Sequence, residues 1–190
     1  MVRGQTKADG VLAKRVVTEQ LPEYDQVIAT YEEAFPANER ISVKELISLA
    51  EKHDVEFMAY YEGTQLVGFT YSVVSEGYLY VVFLAVCPTI RGGGFGSRIL
   101  TRLREDHPDL VHALAIEPLD ENAPNLAQRI SRLRFYERNG FKLMGYNIYE
   151  GGMRYSLLAD SPAFDPDVFA SAMNAAAQGK FPVVLDEARD

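Results

Sequence analysis

The sequence predicts an α/β fold of the α+β kind, a mixed and mostly antiparallel sheet of about six to seven strands with helices on both faces. Between Phe57 and Val86, three β-branched and aromatic runs are parted by the short breaks Glu62-Gly63 and Glu76-Gly77, as in a meander of hairpins. The third run is almost continuously apolar, which places it centrally, with both faces covered. Amphipathic helical patterns lie before and after this meander.

In chain order, Arg15 to Glu19 reads as a short first strand. Pro22-Glu23 opens a helix that runs to Ala34 and is stopped by Pro36. A second helix is capped at Ser42, with Glu45 completing a capping box and Leu46, Leu49 and Ala50 forming its buried stripe. Strands follow at Phe57–Tyr61, Leu66–Val74 and Tyr78–Val86. The turn Pro88–Gly94 feeds a helix whose Phe95, Ile99, Leu100 and Leu103 share a face. Val111–Ile116 is the next buried strand, and a helix carries Leu126, Ile130, Leu133 and Tyr136 at helical spacing. Asn139-Gly140 ends that helix, because Gly and Asn accept left-handed geometry cheaply. Phe141–Tyr149 and Met153–Leu158 make a last hairpin turned by Gly151-Gly152. The expected domain spans residues 1–158, and 159–190 form a helical and extended appendage that docks on the domain or builds a homodimer. In the appendage, Asp165 caps a helix with Pro166 at its first position, and FPVVL can extend a sheet edge.

The chain has 190 residues, 47% of them hydrophobic and 24% charged, the usage of one ordinary globular domain. A net charge of −8 argues against a nucleic-acid partner, which calls for a basic stripe. No apolar run approaches the roughly 20 residues that span a bilayer, and the first ten residues have no signal-peptide core, so no membrane partner is expected. Cys87 stands alone, and His53, His107 and His112 lack ligand spacing, so neither a disulfide nor a metal is expected and the compartment reads as cytoplasmic.

The most informative stretch is FLAVCPTIRGGGFGSRIL, in which a buried strand leads through a glycine-rich loop into a helix. Backbone N–H groups unobstructed by side chains, at the positive end of a helix dipole, suit a pyrophosphate, and Arg91 adds a cation. A Walker loop is excluded because no lysine follows the glycines. A dinucleotide fingerprint fails because Ser97 stands where its third glycine would be.

What the stretch resembles is the GNAT superfamily of N-acetyltransferases, whose Arg/Gln-x-x-Gly-x-Gly/Ala signature is met by Arg91, Gly94 and Gly96. LRFYERNGF, Leu133 to Phe141, is similar to a second family element, a helix with a Phe-Tyr pair and a Gly-Phe turn. The resemblance covers Arg15 to Leu158 and implies an acetyl-CoA-dependent enzyme. Arg91, Gly92, Gly93, Gly94, Phe95, Gly96 and Ser97 would then hold the pyrophosphate, and Leu84, Ala85 and Val86 would pair with the pantetheine arm. The Val86 N–H would face a developing oxyanion in a splay between the strands Tyr78–Val86 and Val111–Ile116. Tyr136 matches the family's tyrosine beside the thioester sulfur and is the expected acid. Glu117 is the candidate base, and Asn125 a candidate cofactor contact.

Each of these residues also has a plain structural reading: a turn for the glycines, core for Tyr136, a solvated strand end for Glu117, a cap for Asn125. Between the first two helices, Glu32, Glu33 and Glu39 suit an amine acceptor, whereas Arg40 suits a carboxylate. The expected function is transfer of acetyl from acetyl-CoA to a primary amine of a small molecule, by direct attack in a ternary complex. A non-catalytic acyl-CoA-binding domain and an acetyltransferase acting on a protein amine are the alternatives.

Overall fold

The structure, a computed structural model, describes residues 10–52, 54–177 and 183–188. The strands are β1 (Ala13–Val16), β2 (Val55–Glu62), β3 (Gln65–Ser75), β4 (Tyr78–Val86), β5 (Val111–Ile116), β6 (Lys142–Glu150), β7 (Met153–Ala159) and β8 (Leu185–Glu187). The helices are α1 (Tyr24–Ala34), α2 (Val43–Ala50), α3 (Phe95–Asp106), α4 (Leu126–Arg138) and α5 (Pro166–Ala177). All strands join one sheet in the order β1-β2-β3-β4-β5-β7-β6-β8, and only β4 and β5 run parallel. The predicted mixed, mostly antiparallel sheet is therefore present, with eight strands among the described residues.

The first strand lies two residues earlier than expected, because the chain turns at Thr18, whose carbonyl accepts from the Leu21 N–H. Pro22 belongs to that approach, and α1 begins only at Tyr24. Ser42 caps α2 with the full capping box, its hydroxyl accepting from the Glu45 N–H and the Glu45 carboxylate from the Ser42 N–H. At the end of α4, Gly140 sits at φ +85° and the Phe141 N–H reaches back to the Tyr136 carbonyl. A left-handed residue at that place costs glycine little.

β4 is central, and its side chains alternate between two layers. Phe83 and Ala85 join the cluster under α1 and α2, while Tyr78 and Tyr80 pack against Phe169 of α5. Leu79 and Val81 point the other way, into the cluster that holds Leu100 and Leu103 of α3. Helices thus cover both faces. The segment after Ala159 is built into this arrangement, since Phe169, Ala172 and Met173 are buried with sheet residues and β8 pairs with β6. Phe181 and Pro182 of the expected edge segment lie outside the described residues, as do His53 and the first nine residues.

Candidate active site

The register of β4 builds the site. Tyr71 faces Phe83 and Ser72 faces Val81, so Val82 is an extra residue that bulges β4 against β3. On the other side, the parallel pairing with β5 runs from Tyr78↔Val111 to Val81↔Leu114 and stops there. Beyond the bulge the two strands part. The Cys87 N–H donates to the Val67 carbonyl, so strand alternation turns the backbone groups of Cys87 and Ala85 toward β3. The N–H and C=O of Leu84 and Val86 consequently point away from β3, into the gap where β5 no longer pairs. Of the predicted strand trio, Leu84 and Val86 thus turn their backbone groups toward the gap, and Ala85 spends its own on the sheet.

The β3–β4 contact is close enough that Gly68 is required. A Cβ there would collide with the Ala85 carbonyl oxygen and would come within 3.1 Å of Ile99 on α3.

At the C-terminal end of β4, a short 3-10 turn over Pro88–Ile90 leads to the glycine loop. Gly92 and Gly94 hold φ +84° and +75°, and open space surrounds the place where each would carry a Cβ. Arg91 to Gly94 are exposed, Phe95 is buried, and Gly96 and Ser97 lie in the first turn of α3. The opening N–H groups of a 12-residue helix have no partners within it and lie at its positive end. Gly96 has a second reason to be glycine, since its Cβ would stand 3.0 Å from the Phe135 ring of α4. Arg98 ties the first turn of α3 to β2 through Glu62 at 2.8 Å.

Tyr136 packs with Leu84 on the apolar cluster beneath α4, and its ring lies 5.0 Å from Phe135 and 5.9 Å from Phe141. Its hydroxyl has no hydrogen-bond partner among the described residues. Burial pushes its pKa up to about 12 against a small opposing effect of Arg132, so the phenol is held protonated more firmly than the sequence alone implied.

Glu117, the candidate base, stands among three partners. Its carboxylate lies 3.0 Å from Arg129 and 2.7 Å from Arg132, and it accepts from the Asn125 amide at 3.1 Å. Burial raises its pKa, but the Asn125 hydrogen bond and the two guanidinium groups outweigh this and hold it below the ordinary carboxylate value. Such a group is well suited to fastening the β5–α4 loop and poorly suited to taking a proton. Asn125 belongs to the same network, its Oδ1 accepting from Arg129, so both ends of its amide already have protein partners. It makes no side-chain cap on α4.

On the segment between α1 and α2, Glu33 pairs with Arg91 at 3.6 Å and Arg40 with Glu32 at 3.7 Å. Both are loose surface pairs of the kind that contribute little stability. Glu33 accordingly belongs beside the glycine loop. Glu39 turns to the other side, where burial and Glu117 raise its pKa while Arg132 and Arg129 lower it.

Two residues that the sequence reading missed stand nearby. The Tyr80 hydroxyl donates to Glu150 Oε1 at 2.7 Å, and burial raises the Glu150 pKa against that hydrogen bond. Glu150 sits in Glu150-Gly151-Gly152, which reads as turn sequence, and 70 residues separate it from its partner. No local signal marks it.

Cys87 is buried, accepts a 3.7 Å contact from the Thr30 hydroxyl, and has its thiol pKa raised by burial, which suits packing and not nucleophilic attack. His107 and His112 pair with Glu56 and Asp160. No group of three metal-ligating side chains occurs among the described residues, nor a helix long and apolar enough to cross a membrane.

A bulged central strand parts from its parallel neighbour, and a glycine-lined helix start stands at its end. Residues 53–143 match the sequence model of the acetyltransferase (GNAT) domain. The chain is similar to a GNAT-family structure from Bacteroides thetaiotaomicron, with a TM-score of 0.70 at 20% identity, covering 87% of this chain and 96% of that one. An aminoglycoside 6'-N-acetyltransferase complexed with coenzyme A matches with a TM-score of 0.60 at 17% identity, over 80% of this chain and 99% of that one. At these identities the likeness concerns the fold. The Bacillus subtilis candidate acetyltransferase YjbC is 31% identical over 67 residues, 35% of this chain and 32% of that protein's length.

Proposed function

We propose that the chain is an N-acetyltransferase that moves the acetyl group of acetyl-CoA to a primary amine of a small molecule, by direct attack within a ternary complex. The observation that carries this reading is the parting of β4 from β5 beyond Val81↔Leu114, with the glycine loop at the end of the gap. The match of residues 53–143 to the acetyltransferase (GNAT) domain model supports acetyl transfer, and the coenzyme A bound to a structural neighbour supports the cosubstrate.

The residues fit such a ligand. Gly92 to Gly94 present backbone without side chains at the start of α3, as an anionic pyrophosphate requires. Leu84 and Val86 offer an unpaired strand edge to an amide-bearing arm, and the Val86 N–H is oriented to steady negative charge on a carbonyl oxygen. Acetyl-CoA supplies an activated acyl carbon and a thiolate leaving group. Tyr136, neutral over the physiological range, donates a proton to that thiolate.

The test is release of free thiol from acetyl-CoA by the intact protein, scored against a diamine, an aminoglycoside and a peptide with a free N-terminus. Thiol release with one small amine is the expected result. Release with the peptide alone would redirect the reading to a protein acceptor, and none with any amine would leave a binding domain.

A further inference from the structure

Three segments converge beside the parting strands. The α1–α2 loop touches the β6–β7 hairpin where the Asn38 amide meets the Met153 sulfur at 3.3 Å. The end of β5 brings Glu117 to the same neighbourhood, since Tyr155 of β7 feels the charges of Glu39, Glu150 and Glu117 together, with Arg132 opposing them. Under the hairpin lies Tyr80 of β4, one residue before pairing with β5 ends and two before the bulged Val82.

The carboxylates where these segments meet are not equivalent. Glu117 is committed to Arg129, Arg132 and Asn125. Glu39 lies within the field of those arginines and of Glu117. Glu150 has no ion-pair partner among the described residues, and the Tyr80 hydroxyl fixes one of its oxygens. The other oxygen and its lone pairs remain for a proton donor. Tyr80 thus ties Glu150 to the strand that carries the gap, one residue before the pairing of β4 with β5 ends.

Resting on the acetyl-transfer reading above, we infer that Glu150 is the catalytic base that takes the proton from the incoming ammonium group. The nitrogen sheds two protons in the reaction. The first passes to Glu150 and on to solvent, freeing the lone pair that forms the C–N bond. As the C–S bond breaks, the second replaces the proton that Tyr136 gives to the departing sulfur, so the transfer releases one proton overall. Burial raises the carboxyl toward neutrality, which improves its match to this task, while the Tyr80 hydrogen bond restrains the rise. Tyr80 is a positioning residue that acts through Glu150.

The experiment is the pH dependence of kcat for wild type, Glu150→Gln, Tyr80→Phe and Glu117→Gln, using whichever probe amine the wild type acetylates. Acetyl-CoA affinity and thermal midpoint are recorded alongside. Gln can still accept from Tyr80, so Glu150→Gln is expected to keep its fold and cofactor affinity. Its kcat should fall roughly 10²- to 10⁴-fold and lose the acid limb of the profile. Tyr80→Phe removes a hydrogen bond to the charged form and should shift the acid limb to higher pH, a change that mere loss of packing would not produce. An active wild type beside a Glu150→Gln variant with the same rate and limb would overturn the assignment alone. So would loss of the limb in Glu117→Gln and not in Glu150→Gln. A wild type that acetylates no amine would instead remove the transfer reading itself, and the assignment with it.

Discussion

Tyr136 and Glu117 are both partly buried polar residues beside the gap, and their surroundings push them toward different tasks. Tyr136 has aromatic neighbours and a hydroxyl without a partner, so a neutral donor is what the site preserves. Tyr136→Phe should lower turnover roughly 10²- to 10⁴-fold with little change in acetyl-CoA affinity, measured by steady-state kinetics and calorimetry. Equal turnover would remove the hydroxyl from the chemistry. Glu117 is held ionised, as is Asp160, whose burial is outweighed by hydrogen bonds from His112 and Arg104. Folded pKa values below the unfolded ones contribute stability that is complete above the ordinary carboxylate range, roughly pH 4, and is lost as pH falls through the depressed values. The thermal midpoint should therefore drop as pH is lowered below that range. Glu117→Gln should show a lower midpoint at neutral pH and a shallower acid drop; parallel curves would contradict the role assigned to its ion pairs.

Among the elements, α3 meets two demands at once, presenting its first turn to the gap and lying close against α4. Gly96 meets the second, and a branched side chain there would press on Phe135. Gly96→Val should cost about 1–3 kcal/mol, read from urea unfolding, as other insertions into packed contacts do. A cost near zero would mean that α3 and α4 are free to separate. Elements written in local sequence were legible in advance: the Ser42–Glu45 box, the ends of β4 at Tyr78 and Val86, and the glycine run opening α3. β1 was misplaced because a turn at Thr18, and not strand propensity, decides where its ladder ends. The ties of Glu117 to two arginines, and of Glu150 to Tyr80, depend on how a loop closes and how a hairpin folds over. Neither tie follows from spacing along the chain.

At the scale of the whole molecule, one sheet joins the glycine-loop side to the C-terminal segment, because α5 covers the strand that carries the gap. Phe169 is fully buried and meets the rings of both Tyr78 and Tyr80, the latter holding Glu150. Phe169→Ala should destabilise the entire domain by roughly 3–5 kcal/mol in a single unfolding transition. A separate early transition would instead describe a segment that melts on its own. The account as a whole depends on acetyl-CoA meeting the glycine loop at the end of β4. Calorimetric titration of acetyl-CoA into wild type and Gly94→Glu tests this most directly, with circular dichroism confirming that the variant remains folded. The wild type should bind at one site per chain, and the variant, which places bulk and negative charge where phosphate is expected, should bind roughly a hundredfold more weakly or not at all. Equal affinity in a folded variant would contradict the account.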